Sequence, residues 1–188
     1  MTEAPPRVVR TRRLTLRPFE ARDEPAYAAI RARPEVARFL PGGEAEAARG
    51  AEKAAALVPA FAALWDDPGY GPWAVEERAT GRLLGHLGLR RLDDLGGRTE
   101  LLYALDPAAQ GRGYATEGGR AALAHAFGPL ALPEVIALAL PANAPSLAVM
   151  GRLGMVREPG LVQAFGLDLV LASIDAARWA ALATETDA

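Results

Sequence analysis

The stretch ELLYALDPAAQGRGYATE, residues 100–117, decides how the rest of the chain is interpreted. Its apolar first part predicts a strand that ends at Leu105, and a helical pattern follows from about Ala115. Between them, Gly111 and Gly113 have no Cβ, so the backbone can adopt a positive φ and allow a ligand to approach closely. A glycine-rich turn before a helix directs several backbone N–H groups and the positive end of the helix dipole towards one point. The sequence therefore predicts an anion-binding site at this turn.

Two nucleotide-binding motifs are disfavoured at this turn by the residues that it lacks. A phosphate-binding P-loop requires a lysine after its last glycine, and this stretch contains no lysine. A dinucleotide fingerprint requires a third glycine where Thr116 stands, together with a parallel βαβ unit. A nucleotide-dependent kinase or oxidoreductase is therefore disfavoured. The two glycines by themselves are also compatible with a turn that has only a structural role, so this alternative to an anion site stays open.

Periodicity along the chain predicts an α+β fold with a mixed, mostly antiparallel, twisted sheet of about six or seven strands flanked by helices. The predicted strands cover residues 10–19, 73–77, 83–91, 98–105 and 134–140, with two more near MVRE (155–158) and LDLVLASI (167–174). The predicted helices cover residues 24–33, 44–65 with a kink at Pro59, about 115–127 and about 145–153.

Composition limits the class of protein. A chain of 188 residues that is 51% hydrophobic predicts one domain over residues 1–188. The N-terminal stretch MTEAPPRVVRTRR has no apolar segment behind its charges, which argues against a secretory signal, and no apolar run is long enough to cross a membrane. A net charge of −2 with scattered arginines argues against a nucleic-acid partner. We expect a cytoplasmic protein with no membrane or nucleic-acid partner.

The inventory of reactive side chains is also short. The chain has no cysteine, which excludes disulfides and a thiolate nucleophile, and only 2 histidines, which argues against a histidine-built metal site. Lys53 is the only lysine, and arginine stays protonated at working pH. Any general base must therefore be a carboxylate, a histidine or a water molecule.

Three ordered motifs resemble the GNAT superfamily of acyl-CoA-dependent N-acyltransferases. The segment QGRGYA (110–115) matches the family's Q/R-x-x-G-x-G/A loop, and ELLYALDP (100–107) resembles the strand before it. The segment NAPSLAVMGRLGM (143–155) resembles the family's N-x-x-[AS]-x-x-[LV]-x-x-[KR]-x-G-[FM] helix. TRRLTLRPF (11–19), WAVEERATGRLLGHLGL (73–89) and a terminal helix ending near Trp179 resemble the Rim-type branch, which acetylates ribosomal-protein N-termini and other amines.

The resemblance implies that the protein transfers an acetyl group from acetyl-CoA, as cosubstrate, to a primary amine. The acceptor would be a protein N-terminus or a small molecule, attacked directly through a tetrahedral intermediate, with no metal and in a monomer or homodimer. The alternative is a GNAT-fold protein that binds CoA with weak or no turnover. By the same resemblance, the pyrophosphate cradle consists of Gln110, Gly111, Arg112, Gly113, Tyr114, Ala115 and Thr116, and the pantetheine arm lies along Tyr103, Ala104 and Leu105.

Glu100 is the preferred candidate for the base that removes the amine proton. Carboxylates are depleted in strand interiors, yet Glu100 occupies one, on the face of Leu102 and Ala104. The Rim-type branch often has a glutamate at the matching place. A salt-bridged strand residue is the structural alternative. His86 on the preceding strand is the other titratable candidate, although a single strand histidine is more often structural.

The residue that often gives a proton to the leaving thiolate in the GNAT superfamily is absent from this chain. Many superfamily members have a tyrosine where Met150 stands, so the resemblance assigns this role to Ser146, directly or through water. Asn143 would contact the cofactor arm and order the segment, and it also fits a helix N-cap. A backbone N–H near Leu102 or Tyr103 would stabilise the oxyanion.

Other residues receive weaker assignments. Arg152 is interpreted as a surface arginine, and His125 is given no role. By analogy with the family, the acceptor side would be lined by Phe39, Leu40, Trp65, Tyr70 and Trp73.

Overall fold

The computed structural model describes residues 5–186, so the first four residues of the N-terminal stretch discussed above lie outside the described part. The strands are β1 Val9–Arg10, β2 Leu14–Arg17, β3 Pro72–Glu77, β4 Leu83–Leu92, β5 Arg98–Leu105, β6 Glu134–Ala139, β7 Val156–Arg157, β8 Val162–Ala164 and β9 Leu167–Asp175. The helices are α1 Glu24–Arg31, α2 Pro34–Ala37, α3 Gly50–Ala63, α4 Tyr114–Phe127, α5 Ala144–Arg152 and α6 Ala176–Thr186. Within residues 5–186, none of these helices has the length and apolar character needed to cross a membrane.

The strands form one open, mostly antiparallel sheet, which confirms the predicted fold class. Its order is β1-β2-β3-β4-β5-β6-β9-β7, and β8 pairs with β9 beside this path. Only the pairing of β5 with β6 is parallel among the described strands. The described strands exceed the predicted number because the strand predicted over residues 10–19 is divided into β1 and β2, and because β8 was not predicted. The short β7 matches the strand predicted near MVRE.

Side-chain alternation on β5 divides the residues of the site between the two faces of the sheet. Leu101 and Leu105 belong to the core cluster that includes Leu123 of α4 and Val149 of α5, and we call this side the α4 face. Ala104 packs on a second cluster that is formed by residues of α1, α2 and α3, and we call this side the α1 face. Glu100 is an even-numbered neighbour of Ala104 on the strand, so it belongs to the α1 face.

The long helix predicted over residues 44–65 is wrong in its first part. Residues 43–49 form a 3-10 helix, and α3 begins at Gly50 and continues through Pro59. A Cβ at Gly50 would lie 2.7 Å from the backbone nitrogen of Ala32 and 2.9 Å from the carbonyl oxygen of Ala28. Helix α3 therefore starts where its backbone lies directly against α1, and this tertiary contact overrides the helix propensity of the alanine-rich sequence.

Three smaller elements also differ from the sequence prediction. The short α2 and the three-residue β8 were not predicted. The terminal helix was expected to end near Trp179, but α6 runs over Ala176–Thr186, so Trp179 lies in its first half.

Candidate functional site

A cleft opens where β5 and β6 separate. The two strands share a single register pair, Glu100 with Ile136, and their pairing ends there. Beyond this point the β6 side of β5 has no strand partner, and a cavity of about 1550 Å³ extends along it. The cavity is lined by residues 100–105 on one side and by residues 138–140, with Asn143 and Ser146, on the other.

The glycine-rich turn at one end of the cleft has the geometry of an anion site. Gly111 has a φ of 71° and Gly113, the residue before the first turn of α4, has a φ of 79°. A Cβ at Gly111 would meet no atom within 4 Å, and one at Gly113 would meet only the Arg13 guanidinium at 3.4 Å. The space beside both glycines is therefore open, as close approach by a phosphate would require.

The first turn of α4 supplies the donors for such an anion. The first intrahelical bond runs from the Glu117 N–H to the Gly113 carbonyl at 3.0 Å. The N–H groups of Tyr114, Ala115 and Thr116 precede it, so they have no acceptor within the helix. The residues present fit a pyrophosphate held by backbone amides and the helix dipole.

Side chains around the turn fix it to the sheet. The Tyr114 hydroxyl donates to Glu77 at 2.6 Å, and Tyr114 is buried, so only its backbone faces the predicted cradle. Arg13 donates to Glu117 at 2.6 Å and to the Arg112 carbonyl at 2.9 Å. The Arg112 guanidinium lies 3.5 Å from Glu77 and is half-exposed at the surface. These contacts hold the turn in place before any ligand binds.

Glu100 is a buried carboxylate that uses only one of its oxygens. Nη2 and Nε of Arg90 both donate to Oε2, at 2.5 and 3.2 Å. Within residues 5–186, Oε1 accepts no hydrogen bond, and Glu100 lines the cleft. Burial raises the pKa of Glu100 and Arg90 opposes the rise. The salt-bridged alternative is therefore present, but it leaves one carboxylate oxygen available to a proton.

The pKa of His86 is lowered, whereas that of Glu100 is raised. Burial lowers its pKa to about 3, and the charges of Arg31 and Arg90 act in the same direction. Its Nδ1 lies 2.9 Å from the Tyr27 hydroxyl, in a hydrogen bond that fixes the ring. A conjugate acid this strong makes His86 a weak base at neutral pH, whereas the raised pKa of Glu100 moves that residue towards the optimum for proton transfer.

Two hydroxyl groups meet on the α4 face, beside the separated strands. The Oη of Tyr103 lies 2.8 Å from the Oγ of Ser146, and both residues line the cleft. Burial raises the pKa of Tyr103 to about 12, so its hydroxyl stays protonated. The Asn143 side chain accepts from the Ser146 N–H at 3.2 Å, which confirms the predicted N-cap. Sequence reasoning missed this Tyr103 side-chain contact, because nothing in a strand pattern specifies a partner on a distant helix.

Of the five residues predicted to line the acceptor side, two line the cleft and three do not. Phe39 and Leu40 line the cleft. Trp65 and Trp73 are 1% and 0% exposed and pack against each other in the core, with ring centroids 5.1 Å apart. Tyr70 contacts Thr99 through its hydroxyl at 3.3 Å instead of lining the cleft. Large apolar side chains gain more from the core than from a pocket wall, which explains the error.

The remaining predicted residues take structural or peripheral places. Met150 is buried in the core, and Arg152 is exposed at the rim of the cleft. His125 packs against Trp73 with ring centroids 5.3 Å apart, and its Nε2 is buried without a hydrogen-bond partner. Within residues 5–186, no three His, Cys, Asp or Glu side chains are grouped so as to hold a metal ion.

Arg31 and Phe165 are among the cleft residues that were not predicted from sequence. Arg31 lines the cleft from the end of α1. Phe165 and Gly166 have φ values of 54° and 72° and form the tight turn of the β8–β9 hairpin. The Arg90 guanidinium lies over the Phe165 ring at 5.1 Å. The glycine in QAFGLD indicates a turn, but nothing in that segment predicts that the turn packs against Arg90, the partner of Glu100.

Comparisons with known proteins agree with this geometry. The acetyltransferase (GNAT) domain matches residues 13–156. The chain is 30% identical over 154 residues to the uncharacterized N-acetyltransferase YnaD of Bacillus subtilis (strain 168), covering 80% of this chain and 83% of that protein. The acetyltransferase from Agrobacterium tumefaciens str. C58 superimposes with a TM-score of 0.74 at 28% identity over 89% of this chain and 93% of that one. Mycobacterium smegmatis RimJ in complex with CoA-disulfide has a TM-score of 0.74 at 22% identity, with 95% of each chain covered. The chain belongs to the GNAT family of acetyltransferases.

Proposed function

We propose that this protein transfers an acetyl group from acetyl-CoA to a primary amine. The observation that carries the proposal is the arrangement around β5: a carboxylate of raised pKa on one face, a hydroxyl pair on the other, and a free strand edge that leads to the glycine-rich turn. In this proposal, a proton acceptor and a proton donor lie on either side of the line that a bound thioester would follow.

We assign the binding of acetyl-CoA mainly to backbone groups. The amides of residues 111–116, with Gln110 and Arg112 beside them, hold the pyrophosphate. The edge of β5 at Tyr103, Ala104 and Leu105 forms hydrogen bonds with the pantetheine arm, in the manner of an added strand. Asn143 orders the end of α5 next to this arm. When bound, acetyl-CoA supplies the activated acetyl group.

We assign the catalytic steps to three side chains and one backbone N–H group. Glu100 removes the proton from the acceptor amine through its free Oε1, directly or through water. An N–H of β5 near Leu102 or Tyr103 stabilises the oxyanion as the amine attacks. Ser146 gives a proton to the leaving sulfur and takes one from the hydrogen-bonded Tyr103 hydroxyl. Glu100 releases the amine proton to solvent, and solvent returns a proton to the Tyr103 phenolate.

A CoA-binding protein without turnover is the second candidate, favoured by Met150 at the place where relatives have a tyrosine. The Tyr103–Ser146 pair weakens that candidate, because it provides a buried hydroxyl donor from β5 and α5. The Rim-type resemblance favours a protein N-terminus as acceptor, while the lack of a strong surface charge favours no particular class.

Two measurements test the proposal. Acetyl-CoA should raise the melting temperature, whereas ATP and NAD should not. Release of free thiol should then depend on an added amine, in a panel of small amines and ribosomal N-terminal peptides. Stabilisation by acetyl-CoA with no amine-dependent thiol release would favour the binding protein, and absence of stabilisation would reject both candidates.

A further inference from the structure

One buried cation in the cleft has no ionic partner. Arg31, the last residue of α1, is only 9% exposed and lines the cleft. Among the side chains that the structure describes, no carboxylate forms an ion pair with Arg31, and its polar neighbour is the hydroxyl of Tyr27. A buried guanidinium without an anion is costly to fold, so it is usually retained for a ligand or a partner group.

The other charges on this side of the cleft are compensated or exposed. Arg90 pairs with Glu100 at 2.5 Å, and Lys53 pairs with Glu46 at 3.0 Å. Arg38 is exposed and lies over the ring of Phe39 at 4.5 Å. Glu35 is exposed and forms no ion pair with Arg31. His86 is neutral. The wall formed by α1 and β4 therefore has one excess positive charge, and it belongs to Arg31.

Arg31 and Glu100 belong to the same half of the cleft. Tyr27 of α1 bonds to His86 of β4, and His86 lies opposite Ala104 on β5. Ala104 and Glu100 share the α1 face of that strand, and Glu100 lies opposite Arg90. An amine that reaches Glu100 from this side passes a wall that offers it one base and one unpaired cation.

The position of Arg31 at a helix C-terminus has a simpler explanation, which the contacts do not support. Cations near the last turn of a helix interact favourably with its dipole. An exposed arginine would serve that purpose, and within residues 5–186 the Arg31 side chain donates to no carbonyl oxygen of α1. The dipole interaction does not require burial in a cleft.

We propose that Arg31 binds a carboxylate of the acceptor, and that the acceptor is a small molecule with both a primary amine and a carboxylate, such as a free amino acid. This inference rests on the proposed acetyl transfer. A guanidinium recognises a carboxylate through two parallel hydrogen bonds, which gives orientation as well as charge. A protein N-terminus has its first carboxyl group in an amide bond, so it offers this contact only through an acidic side chain.

The first test compares acceptors that differ only in the carboxylate. Free α-amino acids and ω-amino acids of increasing length are each paired with their carboxamides, and thiol release gives kcat/KM. We expect the acid of the best pair to exceed its amide by about 10–100-fold, the effect of a hydrogen bond to a charged group. Arg31→Gln should remove this difference by raising KM for the acid only, while Arg38→Gln, the exposed control, should preserve it.

Three outcomes would overturn the inference. Acid and amide of every pair could react equally well in the parent protein, or Arg31→Gln could weaken both equally. Peptides with an acidic second residue could be preferred to all free amino acids, which would overturn the small-molecule assignment. If Arg31→Gln does not fold, Arg31→Lys keeps the charge and loses the bidentate geometry, and it should show a reduced preference for the acid.

A second test does not depend on turnover. Glutarate and N-acetyl amino acids should raise the melting temperature of the parent protein and not that of Arg31→Gln, while CoA should stabilise both equally. Carboxylate stabilisation without any amine-dependent thiol release would reject the acetyl transfer and leave the carboxylate site supported. Equal stabilisation of parent and variant by these carboxylates would reject the site and leave acetyl transfer unaffected.

Discussion

Glu100 and Tyr103 lie on the same strand, and their side chains are on opposite faces of the sheet. Glu100 pairs with Arg90 on the α1 face, whereas Tyr103 packs against the α4-face cluster and bonds to Ser146. The odd sequence separation produces this arrangement, because successive strand residues alternate between faces. A group bound along the β5 edge would have a proton acceptor on one side and a proton donor on the other.

Replacement of Glu100 by glutamine tests the base. Glu100→Gln keeps the shape and removes the basicity, so kcat/KM should fall by roughly 10²–10⁴-fold while CoA affinity stays unchanged. The pH–rate profile should also move to higher pH, because the amine must then lose its proton to bulk water. Steady-state thiol release over a pH series, with CoA binding measured by thermal shift, checks both effects.

Glu134→Gln is the matched control for that substitution. Glu134, on the adjacent strand β6, also pairs with an arginine, Arg98 of β5, and it does not line the cleft. Loss of this ion pair should leave kcat/KM within a few-fold of the parent. Equal, small effects of Glu100→Gln and Glu134→Gln, with an unchanged pH profile, would remove Glu100 from the mechanism.

Arg90→Gln should shift the pH dependence through Glu100. Arg90 lowers the pKa of Glu100 against the larger, opposite effect of burial, so its removal raises that pKa further. The base is then deprotonated only at higher pH, and the acid limb of kcat/KM should move to higher pH with a similar plateau above it. A pH series of kcat/KM measures the shift, and a limb displaced to lower pH would contradict the assignment.

The local architecture around the site was predictable because its signals are local. The apolar run of β5, the two glycines and the start of α4 lie within one short stretch, and each has a specific geometric reason. Glu100 was notable in the sequence because a carboxylate inside a strand is unusual. The Asn143 cap followed from the same kind of local rule.

The contacts that complete the site were not predictable, because they join elements distant in sequence. The Tyr103 hydroxyl meets Ser146 only because α5 packs beside β5. Arg31 is buried because α1 lies over the sheet, and the sequence does not indicate which of the chain's arginines becomes buried. The break before Gly50 has the same origin, since close contact with α1 decides where α3 starts.

The hydroxyl pair should act as one unit. Ser146→Ala removes the direct donor, and we expect kcat to fall by roughly 10²-fold, at the lower end of general-acid effects. Tyr103→Phe alone should cost less, and in the Ser146→Ala background it should cost almost nothing more, because residues that act together are not additive. A double-mutant cycle on kcat measures this coupling. Additive losses would mean that Tyr103 has a separate role.

The glycine turn can be tested with two glycines of equal conformation. Gly111 and Gly81 both have a φ of 71°, and a Cβ at either would meet no atom within 4 Å. Valine should therefore strain both backbones similarly, by about 1–2 kcal/mol or more. Only Gly111→Val should also abolish stabilisation by CoA, because its side chain would occupy the pyrophosphate position. Equal CoA stabilisation of both variants would reduce the turn to a structural role.

Stability should fall in acid partly because both histidines are buried in neutral form. Burial lowers the pKa of His86 to about 3 and lowers that of His125 as well, whereas an unfolded histidine titrates near 6.5. Above that pH neither state binds the proton. Below it the unfolded state does, so each histidine reduces the free energy of unfolding by about 1.4 kcal/mol per pH unit until its folded pKa is reached.

His125→Phe isolates one of these contributions. His125 packs beside Trp65 and Trp73, and its Nε2 has no partner to lose. Any packing difference between the two rings is independent of pH, so the informative quantity is how the stability difference changes with pH. We expect urea unfolding at pH 7.5 and pH 5 to show that the free energy of unfolding of the variant rises relative to that of the parent as the pH falls. The relative gain should be up to about 1.4 kcal/mol per pH unit below pH 6.5. Thiol release at pH 7.5 should be unchanged. A stability difference that is the same at both pH values would mean that His125 takes up its proton equally well in the folded and unfolded protein, and the buried, unpaired Nε2 would then have no energetic consequence.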